Sequence, residues 1–342
     1  MYELLISYLL FLLKGITVVG LLMALIAFIV ALRGGQEQKD IQFELLNEKR
    51  QETKKSLMQQ FAKSGTKAAK QAYKEYLNTL KSRKKLDAGI EKLPKRGYVL
   101  SFDGDVKASG VKALREEITT LLNIAQADDE VVVILESPGG SVPHYGLVAA
   151  QLTRIKQAKL RLTVCVDKVA ASGGYLAAVV ADRILAAPFA YIGSIGVVLT
   201  MPNVHDLLKK NDVDVIELTA GKYKRSISAW GKPTELGKRH TKDKMQAIHD
   251  QFKELVVSYR PQIDIEAVAS GEYWTAKNAL TLGLIDDVTT SDTYVSELMA
   301  TAEVWSIKTP KKRNIKELIV SSAQAITRVV IEQLGTDQAM TS

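Results

Sequence analysis

Hydrophobic and polar positions divide this chain into four textures. From Leu4 to Leu32 the residues are apolar apart from Ser7, Tyr8, Lys14 and Thr17, and the eighteen residues from Gly15 to Leu32 carry no charge. A helix of that length, rising 1.5 Å per residue, is about 27 Å long and spans the hydrocarbon core of a bilayer. The preceding MYE has no Lys or Arg, and IVALRGG is a poor small-x-small cleavage site. The pattern therefore predicts an uncleaved anchor over residues 1–35 rather than a removed signal peptide. From Gln36 to Lys95 the chain is rich in Lys and Gln. Leu57, Met58, Phe61, Ala69, Tyr73, Leu77 and Leu80 recur at roughly helical spacing, and LDAGIEKLPKRG closes the stretch with Gly and Pro. This predicts a basic helical stalk and linker over residues 36–96.

From Gly97 the pattern changes. The β-rich runs YVLSF, VVVILES and LRLTVCV alternate with helical patterns at Val111–Ala125 and Val142–Ala158, and DRILAAP, IGVVLT and DVIELT are further strand candidates. Continuous apolar runs of this kind suit strands buried on both faces of a parallel sheet, and the alternation predicts an α/β body over residues 97–290. The apolar stretch Ile184–Met201 is interrupted by Pro188, Gly193, Ser194 and Gly196, so it reads as buried core and not as a second membrane span. Glu272–Val288 reads as a turn, a short helix and a strand. Residues 291–342 form a C-terminal extension whose amphipathic helix, Ile315–Leu334, offers a docking face.

Charge sharpens the boundaries. The chain of 342 residues has a net charge of +8, but Lys49–Arg96 holds fifteen basic against four acidic side chains, a local +11, which leaves the remainder near −3. A basic appendage thus sits on a slightly acidic body. With only Phe61, Tyr73 and Tyr76 as interleaved aromatics, it fits a membrane surface or a solvated stalk better than nucleic acid, and no nucleic-acid partner is expected. The one cysteine, Cys165, lies in an apolar run and has no intrachain partner for a disulfide. No HExxH, paired CxxC or carboxylate cluster suggests a metal, and no cofactor is expected.

The candidate chemistry starts at KVAASGGYLAA, where Ser172 is flanked by Ala170, Ala171, Gly173 and Gly174. Two readings compete: a helix N-cap, or a nucleophile whose bare surroundings admit a substrate backbone. ESPGGSV, directly after a strand and before a helix, can present backbone amides to a developing oxyanion. AYIGSIGVV carries Ser194, and TAGKYKRS offers Lys222 and Lys224. A lysine has a reference pKa of about 10.4, so serving as a base at pH 7 requires a fall of roughly three through desolvation and nearby positive charge. His144 is the alternative base, although no Ser-His-Asp signature surrounds it.

Together SPGG at 137–140, ASGGYLAA at 171–178, GSIGV at 193–197, GKYK at 221–224 and YWTAKNALTLGLID at 273–286 resemble the signal peptide peptidase A family of serine proteases. The anchor, basic stalk and single catalytic region resemble its SohB-like branch. The resemblance covers roughly Gly97–Val288. It implies a crotonase-like (ClpP-like) fold and a Ser-Lys dyad with Ser172 as nucleophile and Lys224, the second lysine of GKYK, as base. Ser194 matches a base-orienting hydroxyl and Gly139 an oxyanion-hole amide, with Gly173 as second donor and Gly140 and His144 assigned to substrate binding.

The expected function is a membrane-anchored serine endopeptidase acting on apolar peptides such as signal-peptide remnants or misfolded membrane-associated chains. The rivals are a non-catalytic membrane scaffold and an acyl-CoA enzyme. The family places the catalytic body outside the cytoplasmic membrane, on the periplasmic side of the inner membrane. Arg33, Lys39, Lys49 and Arg50 after the span argue the other way by the positive-inside rule. The catalytic motif set occurs once. In this family Ser and Lys can come from adjacent domains or protomers, so a homo-oligomeric ring with sites at subunit boundaries is expected.

Overall fold

The computed structural model describes residues 41–87, of whose last seven only the backbone is considered, and residues 95–310, together with Tyr2, residues 6–15, Thr17 and Val19. Residues 6–15 are helical. Among the described residues no helix is long and apolar enough to cross a membrane. Most of the expected span Gly15–Leu32, and all of the expected helix Ile315–Leu334, lie outside the described residues.

Gln42–Lys308 form one compact unit. Its centre is a seven-stranded sheet of β1 (Gln42–Leu45), β2 (Arg96–Asp103), β3 (Glu130–Glu136), β4 (Arg161–Val166), β6 (Arg183–Ala186), β9 (Asp287–Val288) and β10 (Glu303–Lys308). The spatial order is β1-β10-β2-β3-β4-β6-β9, and every pair is parallel except β1–β10. A small second sheet pairs β5 (Val169–Ala171) with β7 (Tyr191–Gly193) in parallel, and β7 with β8 (Tyr273–Thr275) antiparallel. This is the α/β architecture that the alternating texture predicts.

Helices cover the large sheet because its strands are apolar at successive positions. Val99, Val132, Cys165 and Leu185, from four adjacent strands, pack against Val295 and Leu298 of α10 (Ser291–Thr301). Elsewhere in the core lie Leu114, Ile118 and Leu121 of α3 (Val111–Leu122) and Val148, Leu152 and Ile155 of α4 (Val142–Gln157), all fully or almost fully buried. Burying a side chain of this size contributes about 1.5–3 kcal/mol. The same burial pushes the Cys165 thiol up to about 12, with Asp167 and Glu130 adding to the effect.

The body is longer than the expected 97–290, since both β1 and β10 lie outside that range. The segment 36–96 is accordingly more than a stalk. β1 forms the sheet edge, and a helical hairpin, α1 (Leu46–Lys63) and α2 (Lys67–Asp87), follows. Asn47 fixes its root: its Nδ2 donates to the Met299 and Ala302 carbonyls at 3.1 and 3.0 Å, and its Oδ1 accepts from the Val304 amide at 2.8 Å.

Two expected strands do not form. IGVVLT and DVIELT have no ladder partner among the described residues, and Val198, Leu199, Val213, Val215, Ile216 and Leu218 are exposed. Ile184–Met201 is therefore core only as far as Ile195; Phe189 and Tyr191 already face outward. A strand-like composition fixes neither a neighbour nor a ladder.

Candidate active site

Ser172 lies beyond the carboxyl ends of the parallel strands, where α/β sheets bind ligands. It links β5 to α5 (Gly173–Ala178) with φ 50° and ψ −120°, a conformation that non-glycine residues rarely hold. Such strain, costing about 1–3 kcal/mol, persists only where the surroundings enforce it. Here they do. The Ser172 amide donates to the Gly193 carbonyl at 2.8 Å, and the Leu176 amide donates to the Ser172 carbonyl at 2.9 Å. Ser172 occupies the N-cap position, yet its hydroxyl makes no capping bond and has no hydrogen-bond partner among the described residues. The position is a cap; the side chain is left free to react.

The surrounding glycines serve packing. A Cβ on Gly173 would lie 2.5 Å from Cγ of Tyr145, and one on Gly174 would lie 2.5 Å from the Ser137 carbonyl oxygen. Gly139 has φ +91°, and a Cβ there would meet the Ala171 oxygen at 2.7 Å and Cβ of Ser172 at 2.8 Å. The bare sequence around Ser172 therefore also lets the SPGG turn and Tyr145 close onto it.

A buried relay holds the SPGG turn. The Gly139 amide donates to Ser137 Oγ at 3.0 Å, Ser137 Oγ and the Tyr145 hydroxyl are 2.5 Å apart, and that hydroxyl donates to the Asp105 carbonyl at 2.7 Å. Because Tyr145 spends its proton on Asp105, the Ser137 hydroxyl donates to Tyr145. Burial raises the Tyr145 pKa, partly offset by Ser137, so the phenol stays protonated in this role. The Gly139 amide, expected to line an oxyanion hole, is thus already engaged. The next amide, that of Gly140, makes no hydrogen bond among the described residues. Gly173 opens α5, where an amide has no acceptor within its own helix.

A pocket of about 110 Å³ opens beside Ser172. Gly140, Val142 and Tyr145 form one wall, Ser172, Gly173 and Leu176 another, and Gly196 and Val197 a third. Ile248, Gln251 and Phe252 complete it from α7 (Glu235–Tyr259), at the i, i+3, i+4 spacing of one helix face. His144, expected to line the pocket, is exposed and outside its lining; its neighbour Tyr145 is there instead. Sequence reading missed the α7 residues, although the run Ile248, Phe252, Val256 carries their signal.

The remaining expected residues, Ser194 and Lys224, are not among the pocket's lining residues. The Ser194 hydroxyl donates to the Gly271 carbonyl at 3.3 Å, and its amide donates to the Glu272 carbonyl at 2.6 Å. Lys224 is exposed in the turn that starts at Gly221, its amide donating to the Gly221 carbonyl at 3.1 Å. Among the described residues its ammonium has neither a hydrogen bond nor an ion pair. Lys222 lies with its ammonium 5.2 Å from the Tyr223 ring centroid.

Behind the pocket, α5 and α7 are tied to the large sheet. The Tyr175 hydroxyl donates to the Leu284 carbonyl at 2.9 Å. Arg260, just past α7, makes two 2.6 Å bonds to Asp286, whose carboxylate also accepts from the Ile184 amide at 2.7 Å. Burial alone would raise the Asp286 pKa, but these donors outweigh it and hold the carboxyl below its usual range.

Two family descriptions match in sequence, the peptidase family S49 N-terminal region over residues 3–152 and peptidase family S49 over residues 154–305. A Haemophilus influenzae protein described as "Probable protease SohB" is 42% identical over 98% of both chains. One of the same description from Buchnera aphidicola subsp. Schizaphis graminum is 40% identical over 87% of both. Among solved structures, a mutant of the 1510-N membrane-bound stomatin-specific protease aligns with a TM-score of 0.41 and 17% identity, over 60% of this chain and 85% of that one. With near-complete alignment to a SohB relative and both S49 regions in order, this chain belongs to peptidase family S49, the signal peptide peptidase A family.

Proposed function

We propose that the chain is a membrane-anchored serine endopeptidase on a crotonase-like fold, in which Ser172 and Lys224 form the catalytic dyad. One observation carries the reading. Ser172 is held in a strained conformation with its hydroxyl uncommitted, beside a largely apolar pocket and the uncommitted Gly140 amide.

In this reading the neutral Lys224 amine takes the Ser172 Oγ proton as Oγ bonds to the scissile carbonyl carbon. The carbonyl π electrons move to oxygen, which accepts from the Gly140 and Gly173 amides. Collapse breaks the C–N bond, and Lys224 gives its proton to the leaving amine. Water, deprotonated by the same lysine, then hydrolyses the acyl-enzyme. Gly139 supports the hole from behind, and Ser194 orients the lysine once it reaches the site. Val142, Leu176, Ile248 and Phe252 suit apolar side chains, in keeping with signal-peptide remnants or misfolded membrane-associated chains as substrates.

The dyad is completed between copies of the chain in a ring. Support comes from the exposed Lys224, without a partner among the described residues, and from the apolar segments near Val198 and Ile216, unpaired among them, which a neighbouring copy would cover. The anchor and basic hairpin hold the assembly at the bilayer, with the catalytic body on the periplasmic face of the bacterial inner membrane.

The deciding experiment compares proteolysis and fluorophosphonate labelling of the detergent-solubilised protein and its Ser172→Ala variant. Labelling and cleavage that depend on Ser172 are expected; equal activity of the two proteins would remove the reading. A C-terminal reporter active only in the periplasm is expected, and a signal confined to the cytoplasm would reverse the topology.

A further inference from the structure

The lysine loop is fastened to the helix that walls the serine pocket. The Tyr223 and His240 rings are stacked, with centroids 3.9 Å apart and planes 16° from parallel. The Lys222 ammonium also approaches the Tyr223 ring, 5.2 Å from its centroid, so the loop's first lysine is engaged with an aromatic ring while the second is not. A second contact lies one turn earlier on α7. A Cβ at Gly237 would fall 1.8 Å from the Ser226 carbonyl oxygen, so the loop crosses this helix where no side chain is tolerated.

The His240 ring is held there without hydrogen bonding. Its Nε2 is buried and has no partner among the described residues, and the ring makes no other hydrogen bond among them. An imidazole in such surroundings contributes a flat face. Eight residues further along α7, about 12 Å by helical rise, Ile248 enters the Ser172 pocket, followed by Gln251 and Phe252. One rigid element therefore carries the lysine loop at one end and the pocket wall in its middle.

The geometry points to Tyr223 and His240 as positioning residues: their stack fixes the GKYK loop on α7, so that a rigid helix presents Lys224 to the serine it serves. This rests on the dyad reading. The stack touches no substrate. It restricts the loop, and a base held in place is worth more to the transition state than to substrate binding.

The test uses the full chain in detergent and a quenched fluorogenic peptide with a run of Leu and Ala. His240→Ala is expected to lower kcat at least tenfold, with KM within twofold of wild type and an unchanged circular dichroism spectrum. Tyr223→Ala, at an exposed position, is expected to do the same. His240→Phe, which retains a flat ring and loses no hydrogen bond, is expected to recover kcat to within threefold. Wild-type kcat in either alanine variant, or a His240→Phe protein as slow as His240→Ala, would overturn the assignment while leaving the dyad intact. Lys224→Ala, assayed alongside, separates the two ideas: full activity there would remove the dyad and the positioning role together.

Discussion

The serine and lysine sides of this molecule are built to different standards. Around Ser172 the backbone is specified by hydrogen bonds, by close approaches at Gly139, Gly173 and Gly174, and by a buried Ser137–Tyr145 relay. Around Lys224 the chain from Asp212 to Arg225 is exposed throughout, with apolar side chains turned outward and no ladder among the described residues. Oxyanion stabilisation depends on donors preorganised to within a fraction of an ångström, and in the proposed reading one chain supplies both, the Gly140 and Gly173 amides. A lysine at the end of a long flexible side chain tolerates a later placement. The difference teaches that, in the proposed reading, the serine half of the site is a folding product, whereas the lysine half depends on what packs over it.

The largest effects test that division directly. Ser172→Ala and Lys224→Ala are each expected to abolish peptide cleavage, and mixing the two inactive proteins under conditions of subunit exchange is expected to restore part of it. Mixed particles without activity would confine both residues to one chain's site. Lys222→Ala should lose only a few-fold. Activity should rise toward alkaline pH, since the base works unprotonated; a maximum at pH 5 would contradict a lysine base.

Next in size is the support behind the serine. Asp286→Asn removes a carboxylate from the nearly buried Arg260, and breaking such a pair costs about 3–5 kcal/mol, read as a lower denaturant midpoint. The sign of its pH dependence follows from the depressed pKa of Asp286. Its contribution is present above the unfolded carboxylate value of about 3.9 and is lost as pH falls through the lower folded value. Wild type should therefore converge on the variant in acid. A constant gap between them down to pH 2 would contradict the assigned pairing.

The smallest effects compare glycines on the two sides. Gly139→Ala combines a positive φ with collisions against backbone and is expected to cost about 2–4 kcal/mol together with most of the activity. Gly221→Ala has a similar φ of +97°, but its only near neighbour is Cβ of Lys224 at 4.0 Å. Its cost should be about 1 kcal/mol. Equal losses in thermal unfolding would erase the contrast between the two regions.

Much of this was legible in the sequence, and the exceptions share a cause. β2, β3, β4 and β6 were readable because strands buried on both faces leave continuous apolar runs, and the N-cap position of Ser172 at the start of α5 followed from its small flanking residues. β1 was hidden because QFEL is short and pairs with a strand some 260 residues away. IGVVLT and DVIELT have strand composition, but composition does not create a ladder partner. The engagement of the Gly139 amide was hidden as well, because it depends on a hydroxyl–phenol contact between positions 137 and 145 that no local pattern encodes. His144 and Tyr145 are neighbours on a helix, and only the helix phase decides which of them meets the pocket.

Asn47 and β1 bear on how this enzyme comes into being. Among the described residues β1 pairs only with β10, and the three Asn47 bonds reach residues 299–304, so the first strand of the body has no place to go until the last has left the ribosome. At synthesis rates of about 5–20 residues per second, that wait is roughly 10–50 s. Throughout that interval the sheet edge is unfinished and the root of the helical hairpin is unfastened. A nascent chain therefore carries Ser172 long before the sheet edge and the root of the hairpin are complete.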